Sequence, residues 1–257
     1  MLLEGRVAVV TGIGPGIGRA TALALAREGA LLALGARTEE TLKEVADEIE
    51  SLGGRAVWAP TNIADAGACA ALAALAKDSF GRIDILVQNA FMHPPFETTE
   101  GADPENWRKS FKVNVIGTLQ MIQAVLPHMG DGGSIVVTNS MAARRPGPDS
   151  GAYVSAKMAL LGLVRTLASE QGARGIRVNS VLPGYVDGPN LQVYFEWQAQ
   201  ERGTSADEVR AALYEETALK RIVSPDDVAG AIVFLASDLA HGITGIGIDV
   251  NAGHWMP

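Results

Sequence analysis

Val7-Ala8-Val9-Val10-Thr11-Gly12-Ile13-Gly14-Pro15-Gly16-Ile17-Gly18 is the stretch that decides how the chain is read. The apolar run Val7–Val10, inside a strand expected over Arg6–Thr11, suits a strand buried on both faces, as parallel sheets covered by helices require. Gly12, Gly14, Gly16 and Gly18 follow within seven positions, and Ala20, Leu23, Leu25 and Ala26 then start a helical pattern. Strand, glycine turn and helix form the context in which such a turn accepts phosphate. The glycines let the backbone approach a ligand, and the helix N-terminus offers free N–H groups and a positive dipole end. A tight βα turn with no ligand is the plain alternative, and four glycines opening a βαβ unit weaken it.

Outward from this turn the pattern repeats. Leu31–Ala36 reads as a second strand, followed by a helix that Thr38 can cap and Gly53-Gly54 stops near Ser51. Arg55–Ala59 and Ile83–Gln88 read as strands three and four, with a helix ending near Phe80 between them. A long helix is expected from about Pro104 to Met129, then strands over Ser134–Thr138 and Ile176–Val181 flanking a helix that carries Tyr153. Pro225–Ser237 reads as a core helix and Gly245–Val250 as a last strand. Alternation of this kind with short turns implies a doubly wound, Rossmann-type parallel sheet, with residues 1–257 as a single domain. Gly188–Lys220 breaks the rhythm with two helix-like pieces, Leu191–Gln200 and Ser205–Glu216. An insertion there, at the ligand edge of the sheet, is most economically a small helical lid.

The chain of 257 residues can bury a sizeable core built from aliphatic side chains, since 47% of residues are hydrophobic but only 5% aromatic. Its net charge is −8, and no Lys/Arg run exceeds two residues, which argues against nucleic acid or an anionic membrane as partner. Cys69 is the only cysteine, so an intrachain disulfide is excluded and a reducing, cytoplasmic setting is expected. The N-terminal residues lack a signal-peptide layout, and no apolar run is long enough to span a bilayer. No metal is expected.

Tyr153-Val154-Ser155-Ala156-Lys157 supplies candidate chemistry. Residues four apart on a helix share a face, so a phenol and an ammonium stand side by side. A neighbouring positive charge favours the phenolate and is expected to lower the Tyr153 pKa from about 10 into the range of acid–base work. At the end of strand two stands Arg37, where nucleotide-binding folds place an acid on a ribose 2′-hydroxyl or an arginine on a 2′-phosphate. The preferred dinucleotide is therefore NADP(H), with NAD(H) as the alternative, because Arg37 could also be a solvated residue or stack on adenine.

Taken together these motifs resemble the short-chain dehydrogenase/reductase family over essentially the whole chain. The carriers are Thr11, Gly12, Gly16 and Gly18 in the glycine turn, Gln88-Asn89-Ala90 after strand four, Pro183-Gly184 after strand six, and Asn114, Ser140, Tyr153 and Lys157 in catalytic order. The resemblance implies an NAD(P)-linked enzyme that interconverts a ketone and a secondary alcohol. Tyr153 would exchange the proton at the substrate oxygen, which Ser140 would also bond, and Lys157 would hold the cofactor's ribose. Asn114 would position a relay water. It further implies cofactor contacts from Gly14, Ile17, Asn62, Ile63, Asn89, Ala90, Pro183, Gly184 and Val186, and a homotetramer or dimer. Three positions depart from the family pattern: Phe91 for a glycine, Gly188 for a threonine that binds the carboxamide, and Asn62 for an aspartate.

Candidate substrate residues are His93, Phe96, Met141, Tyr185, Leu191, Tyr194 and Trp197. Three aromatics concentrated in the lid, Tyr194, Phe195 and Trp197, suggest an apolar, cyclic substrate, though one face of that helix could simply pack on the domain. Arg144 and Arg145 read as a solvated pair, or as contacts for an anionic substrate. Two further readings stay open: reduction of a 3-oxoacyl thioester, and a nucleotide-binding sensor without turnover.

Overall fold

The computed structural model describes residues 1–256; Pro257, which falls within the expected 1–257 domain, lies outside the described residues. Seven strands form one parallel sheet: β1 (Val7–Thr11), β2 (Leu31–Ala36), β3 (Arg55–Pro60), β4 (Ile83–Gln88), β5 (Met129–Thr138), β6 (Arg177–Pro183) and β7 (Gly247–Val250). Their order is β3-β2-β1-β4-β5-β6-β7, so the direction of winding reverses between β1 and β4. Ligands bind outside the carboxyl ends of strands at such a reversal.

Two apolar layers follow from the strand period of two. In β1, Ala8 and Val10 point into a layer shared with Leu25, Leu42 and Ile232, whereas Val9 points into the other with Leu72, Met121 and Leu160. The first layer is covered by α1 (Ile17–Arg27), α2 (Glu39–Ser51) and α9 (Pro225–Ala236). The second is covered by α3 (Ala66–Phe80), α5 (Thr118–Val125) and α6 (Gly151–Gln171). No helix among the described residues is long and apolar enough to cross a membrane.

The helix expected from Pro104 to Met129 is not uniform. It comprises α4 (Pro104–Phe111), a π-helical turn over Lys112–Gly117, α5, and a 3-10 turn over Leu126–His128. Gly117 is pressed onto Ile63, where a Cβ would come within 3.0 Å, and the Thr118 hydroxyl donates to the Asn114 carbonyl at 2.7 Å. A side chain inserted into the hydrogen-bond ladder accounts for the widened turn. Pro127 has no N–H to continue the helix, and Met129 already belongs to β5. The start of β5 is irregular where it pairs with Ile83 and Ile85, and Gly130-Asp131-Gly132-Gly133 carries no strand pattern of its own.

Residues 188–220 hold α7 (Pro189–Arg202) and α8 (Ala206–Glu216), the latter opened by a capping box between Ser205 and Glu208. Leu191, Phe195, Ala199, Val209 and Leu213 form a third, small core between these two helices.

Candidate active site

Thr11 knits the reversal point together. Its hydroxyl donates to Gln88 Oε1 at 2.7 Å and accepts from the Asn89 and Ala90 amides at 3.2 and 3.3 Å. Asn89 Nδ2 donates to the Gly12 carbonyl at 2.9 Å. Gly12 adopts φ +71°, and a Cβ there would meet the Ala90 nitrogen at 2.5 Å, so both its conformation and its surroundings demand glycine. The ends of β1 and β4 thereby fix the glycine turn in front of α1, whose first N–H groups have no partner inside the helix.

A cleft of about 400 Å³ opens over this turn. It is lined by Gly12, Gly14, Gly16, Ile17, Gly18 and Asn89 and by Ser140, Tyr153 and Lys157. Pro183, Gly184 and Val186 form the side beyond β6. Thr138, Asn139 and Asp187 join them although the sequence reading did not single them out. Their one sequence signal was position, at the ends of β5 and β6. Thr138 Oγ1 and Asn139 Nδ2 are buried polar atoms without a protein partner at this wall. Unpaired polar groups beside a glycine cradle fit a dinucleotide, whose phosphates take backbone N–H groups and whose polar end takes the rest.

The other expected cofactor residues lie around the cleft and do not line it. Ala90 supports Gly12 from below. Ile63 is buried under Gly117, and Asn62 is exposed with its Oδ1 accepting from the Ala64 amide at 3.1 Å. Arg37 is exposed one residue past β2. A separate recess of about 460 Å³ lies on the outer side of the turn, between Gly14, Arg19, Thr41 and Glu48, and holds none of the catalytic candidates. There Arg19 is tied to Glu48 at 2.6 Å.

Lys157 is buried, with Nζ donating to the Thr138 carbonyl at 3.0 Å and lying 5.5 Å from the Phe91 ring centroid and 5.6 Å from that of Tyr153. Burial without a carboxylate partner lowers its pKa to about 7. The Tyr153 phenol moves the other way, up to about 12. Desolvation dominates even though part of the ring opens on the cleft, and interaction with the Ser140 hydroxyl opposes it. The expected depression of the Tyr153 pKa by Lys157 is therefore corrected. The ammonium sits over the ring face and is anchored on a backbone carbonyl, and burial disfavours the charged form of both groups. Ser140 accepts from the Ala142 amide at 3.1 Å, which leaves its own proton free to donate.

Asn114 sits in the π turn and is buried. Its Nδ2 donates to the Met92 carbonyl at 2.9 Å and to Ser110 Oγ at 3.2 Å, while its Oδ1 accepts from the Met92 amide at 2.9 Å. The side chain is thus occupied in clamping the 91–96 loop. Of the side-chain hydrogen-bonding groups of Asn114, only the second lone pair of Oδ1 has no protein partner.

Beyond Tyr153 runs an aromatic wall. The His93 ring stacks on Tyr153 with centroids 4.6 Å apart, and Phe96 stands 4.7 Å from His93. Phe96 lies parallel to Trp197 at 5.3 Å, Trp197 is 6.0 Å from Tyr194, and Tyr194 stacks on Tyr185 at 5.4 Å. Five expected substrate residues are brought together this way. Leu191 is not among them, because it is buried with Phe195 in the α7–α8 core. Met141 is likewise buried, in the short turn after Ser140. The lid aromatics thus divide, Phe195 into packing and Tyr194 and Trp197 onto the wall. The arginine pair is corrected as well: Arg144 is partly buried and bonds Asp249 at 2.6 Å and the Gly247 carbonyl at 2.9 Å, and Arg145 donates to the His254 carbonyl at 3.1 Å. Arg144 ties the loop after β5 to β7, whereas Arg145 is exposed, as the solvated reading expects.

These features have counterparts in known proteins. A family model described as enoyl-(acyl carrier protein) reductase matches residues 12–254. A short-chain dehydrogenase/reductase of Aspergillus oryzae is 35% identical, with 98% of this chain and 95% of the relative covered. The cis-4-hydroxycyclohexanecarboxylate dehydrogenase of Sinomonas cyclohexanicum is 36% identical, over 97% of this chain and 96% of its own length. The crystal structure of an NAD+-bound xylitol dehydrogenase superposes with a TM-score of 0.91 at 27% identity, covering 98% of this chain and all of the other. The chain belongs to the short-chain dehydrogenase/reductase family, whose members bind NAD(H) or NADP(H) and act as oxidoreductases on small molecules.

Proposed function

We propose that this protein is an NADP(H)-dependent oxidoreductase that interconverts a ketone and a secondary alcohol on an apolar, ring-bearing small molecule. The observation that carries the reading is that Tyr153, Ser140 and Lys157 line the same cleft as the glycine turn. A bound nicotinamide would supply or accept the hydride. Tyr153 gives or takes the proton at the substrate oxygen, and Ser140 donates a hydrogen bond to that oxygen as charge develops on it. With its pKa near 7, Lys157 can exchange a proton at neutral pH, and its ammonium form stabilises a transient phenolate. Asn114 positions the 91–96 loop and offers its side-chain oxygen to a relay water. Gly12, Gly14, Gly16, Ile17, Gly18 and Asn89 hold the dinucleotide phosphates, Pro183, Gly184 and Val186 flank its reactive end, and Asn62, Ile63 and Ala90 support the cradle. Residues 188–220 act as the lid of a single catalytic domain.

The aromatic wall supports a ring-bearing substrate, in line with the cyclohexane alcohol in the name of the Sinomonas relative. Arg37 supports NADP(H), and the NAD+ of the xylitol dehydrogenase makes NAD(H) the competing cofactor. The 3-oxoacyl-thioester reading finds less support, since Arg144 is engaged with β7. The single buried Cys69 supports a cytoplasmic setting, and the family resemblance supports a homotetramer or dimer. The test is Tyr153→Phe, assayed by nicotinamide absorbance over a panel of cyclic ketones and alcohols. Loss of turnover with retained cofactor affinity is expected. Unchanged turnover sinks the proton-transfer role, and a wild type inert on every substrate favours the sensor reading.

A further inference from the structure

Phe91 stands between two residues whose backbone groups are all engaged. Ala90 before it donates to Thr11 Oγ1 and accepts from Gln88 Nε2, each at 3.3 Å. Met92 after it accepts from Asn114 Nδ2 and donates to Asn114 Oδ1, each at 2.9 Å. The backbone at Phe91 is thereby tied to β1, β4 and the π turn, so its side chain starts from a set place. Packing does not account for the phenyl ring there, because 47% of the residue stays exposed. The ring instead lines the cleft, together with Tyr153 and Lys157.

Lys157 Nζ lies over the Phe91 ring, 5.5 Å from its centroid, and over the Tyr153 ring at 5.6 Å. Its hydrogen-bond acceptor is the Thr138 carbonyl at 3.0 Å. Burial moves its pKa down with no carboxylate opposing. The titratable groups that face it are Tyr153, on the same helix, and His93, on the loop after Phe91. Burial pushes the Tyr153 phenol up to about 12, and desolvation and the lysine charge lower His93. Neither offers a negative charge at neutral pH, so the ammonium depends on what the rings supply. An aromatic face is negative and attracts a cation within about 6 Å, more strongly where water is excluded.

Resting on the oxidoreductase reading above, we propose that Phe91 is a positioning residue of the active site, whose ring face holds the Lys157 ammonium beside Tyr153. The residue is one of the three that depart from the family pattern, so this hold on the lysine belongs to the chain's own sequence. A leucine at position 91 would keep water from Lys157 to a similar degree but presents no negative face. What Phe91 contributes is therefore read in the protonation equilibrium of Lys157 and not in the stability of the fold.

The experiment titrates Lys157 in ligand-free protein by carbon NMR of lysine labelled with 13C at Cε, the resonance being assigned by its loss in Lys157→Met. Wild type is compared with Phe91→Leu, Phe91→Met and Phe91→Tyr. A ring face that favours the ammonium raises its pKa, so removing the face should lower the midpoint. For a desolvated cation–π pair the fall should be about 0.5 to 1.5 pH units in Phe91→Leu and Phe91→Met. Phe91→Tyr keeps a ring of the same kind and should stay within about 0.3 units of the wild type. The limb of the kcat/KM profile that reports Lys157 should move in the same direction as the NMR midpoint. A midpoint unchanged or raised in both aliphatic variants overturns the proposal, as does a Phe91→Tyr midpoint as low as theirs. The NMR readout needs no turnover. A wild type inert toward every ketone and alcohol therefore overturns the oxidoreductase reading, while the midpoints still decide whether Phe91 holds the charge.

Discussion

Lys157→Met should stabilise this protein, and by an amount that depends on pH. Lys157 is 3% exposed, and its Nζ has one protein acceptor, the Thr138 carbonyl, besides two aromatic faces. Its pKa falls from 10.5 to about 7 because burial disfavours the ammonium. The folded pKa lies below the unfolded one, so the unfolded chain binds more protons between pH 7 and pH 10.5, and stability rises with pH across that window. Below pH 7 the lysine is charged in both states and the fold carries the whole penalty, on the order of 5 kcal/mol. At pH 9.5 about 1.4 kcal/mol of it is left, and above 10.5 none. Methionine fills similar volume without charge, so its advantage over lysine should be about 3 kcal/mol larger at pH 6 than at pH 9.5. That difference cancels every pH-independent packing effect of the substitution. Urea unfolding of ligand-free wild type and Lys157→Met, at both pH values and one protein concentration, measures it. A stability difference that is the same at the two pH values, or that grows toward alkaline pH, refutes the reasoning. The variant should also lose turnover, a trade of stability for chemistry at the active site.

Further outcomes follow from other parts of the molecule. Arg37→Ala should weaken NADPH binding by about 10-fold or more and leave NADH binding nearly unchanged, since an exposed charge pair with a phosphate contributes of order 1 kcal/mol or somewhat more; an unchanged NADPH/NADH ratio in a fluorescence titration removes Arg37 from the site. Phe195→Ala empties the centre of the α7–α8 core and should cost about 3–5 kcal/mol there. Hydrogen exchange should then show protection lost over α7 and α8 and retained in β1 and β4; uniform loss over the whole chain would mean that the segment does not open as a unit.

Much of the fold could be read from neighbours along the chain. The run Val7–Val10 and the glycines after it specify strand and turn through backbone chemistry that needs no distant partner. The bounds of β2 and β4 are those expected from the sequence, residue for residue. The order of Asn114, Ser140, Tyr153 and Lys157 along these elements was visible too, as were the cleft-lining glycines. Where the reading failed, the deciding contact lay far away in sequence. Gly117, at the end of the π turn, is seated on Ile63, and the Asn114 side chain is occupied by Met92. Arg144 looked free because Asp249 is 105 residues away.

The sequence by itself therefore determined the parallel sheet, the glycine turn and which residue types stand at the strand ends, because periodicity and backbone permissiveness are local properties. Only the tertiary structure decided which lid aromatics pack and which line the wall. It also decided that Tyr153 is pushed up and Lys157 down. Desolvation is set by everything that surrounds a group, and a helical spacing of four says how close two side chains stand, not how much water is left around them.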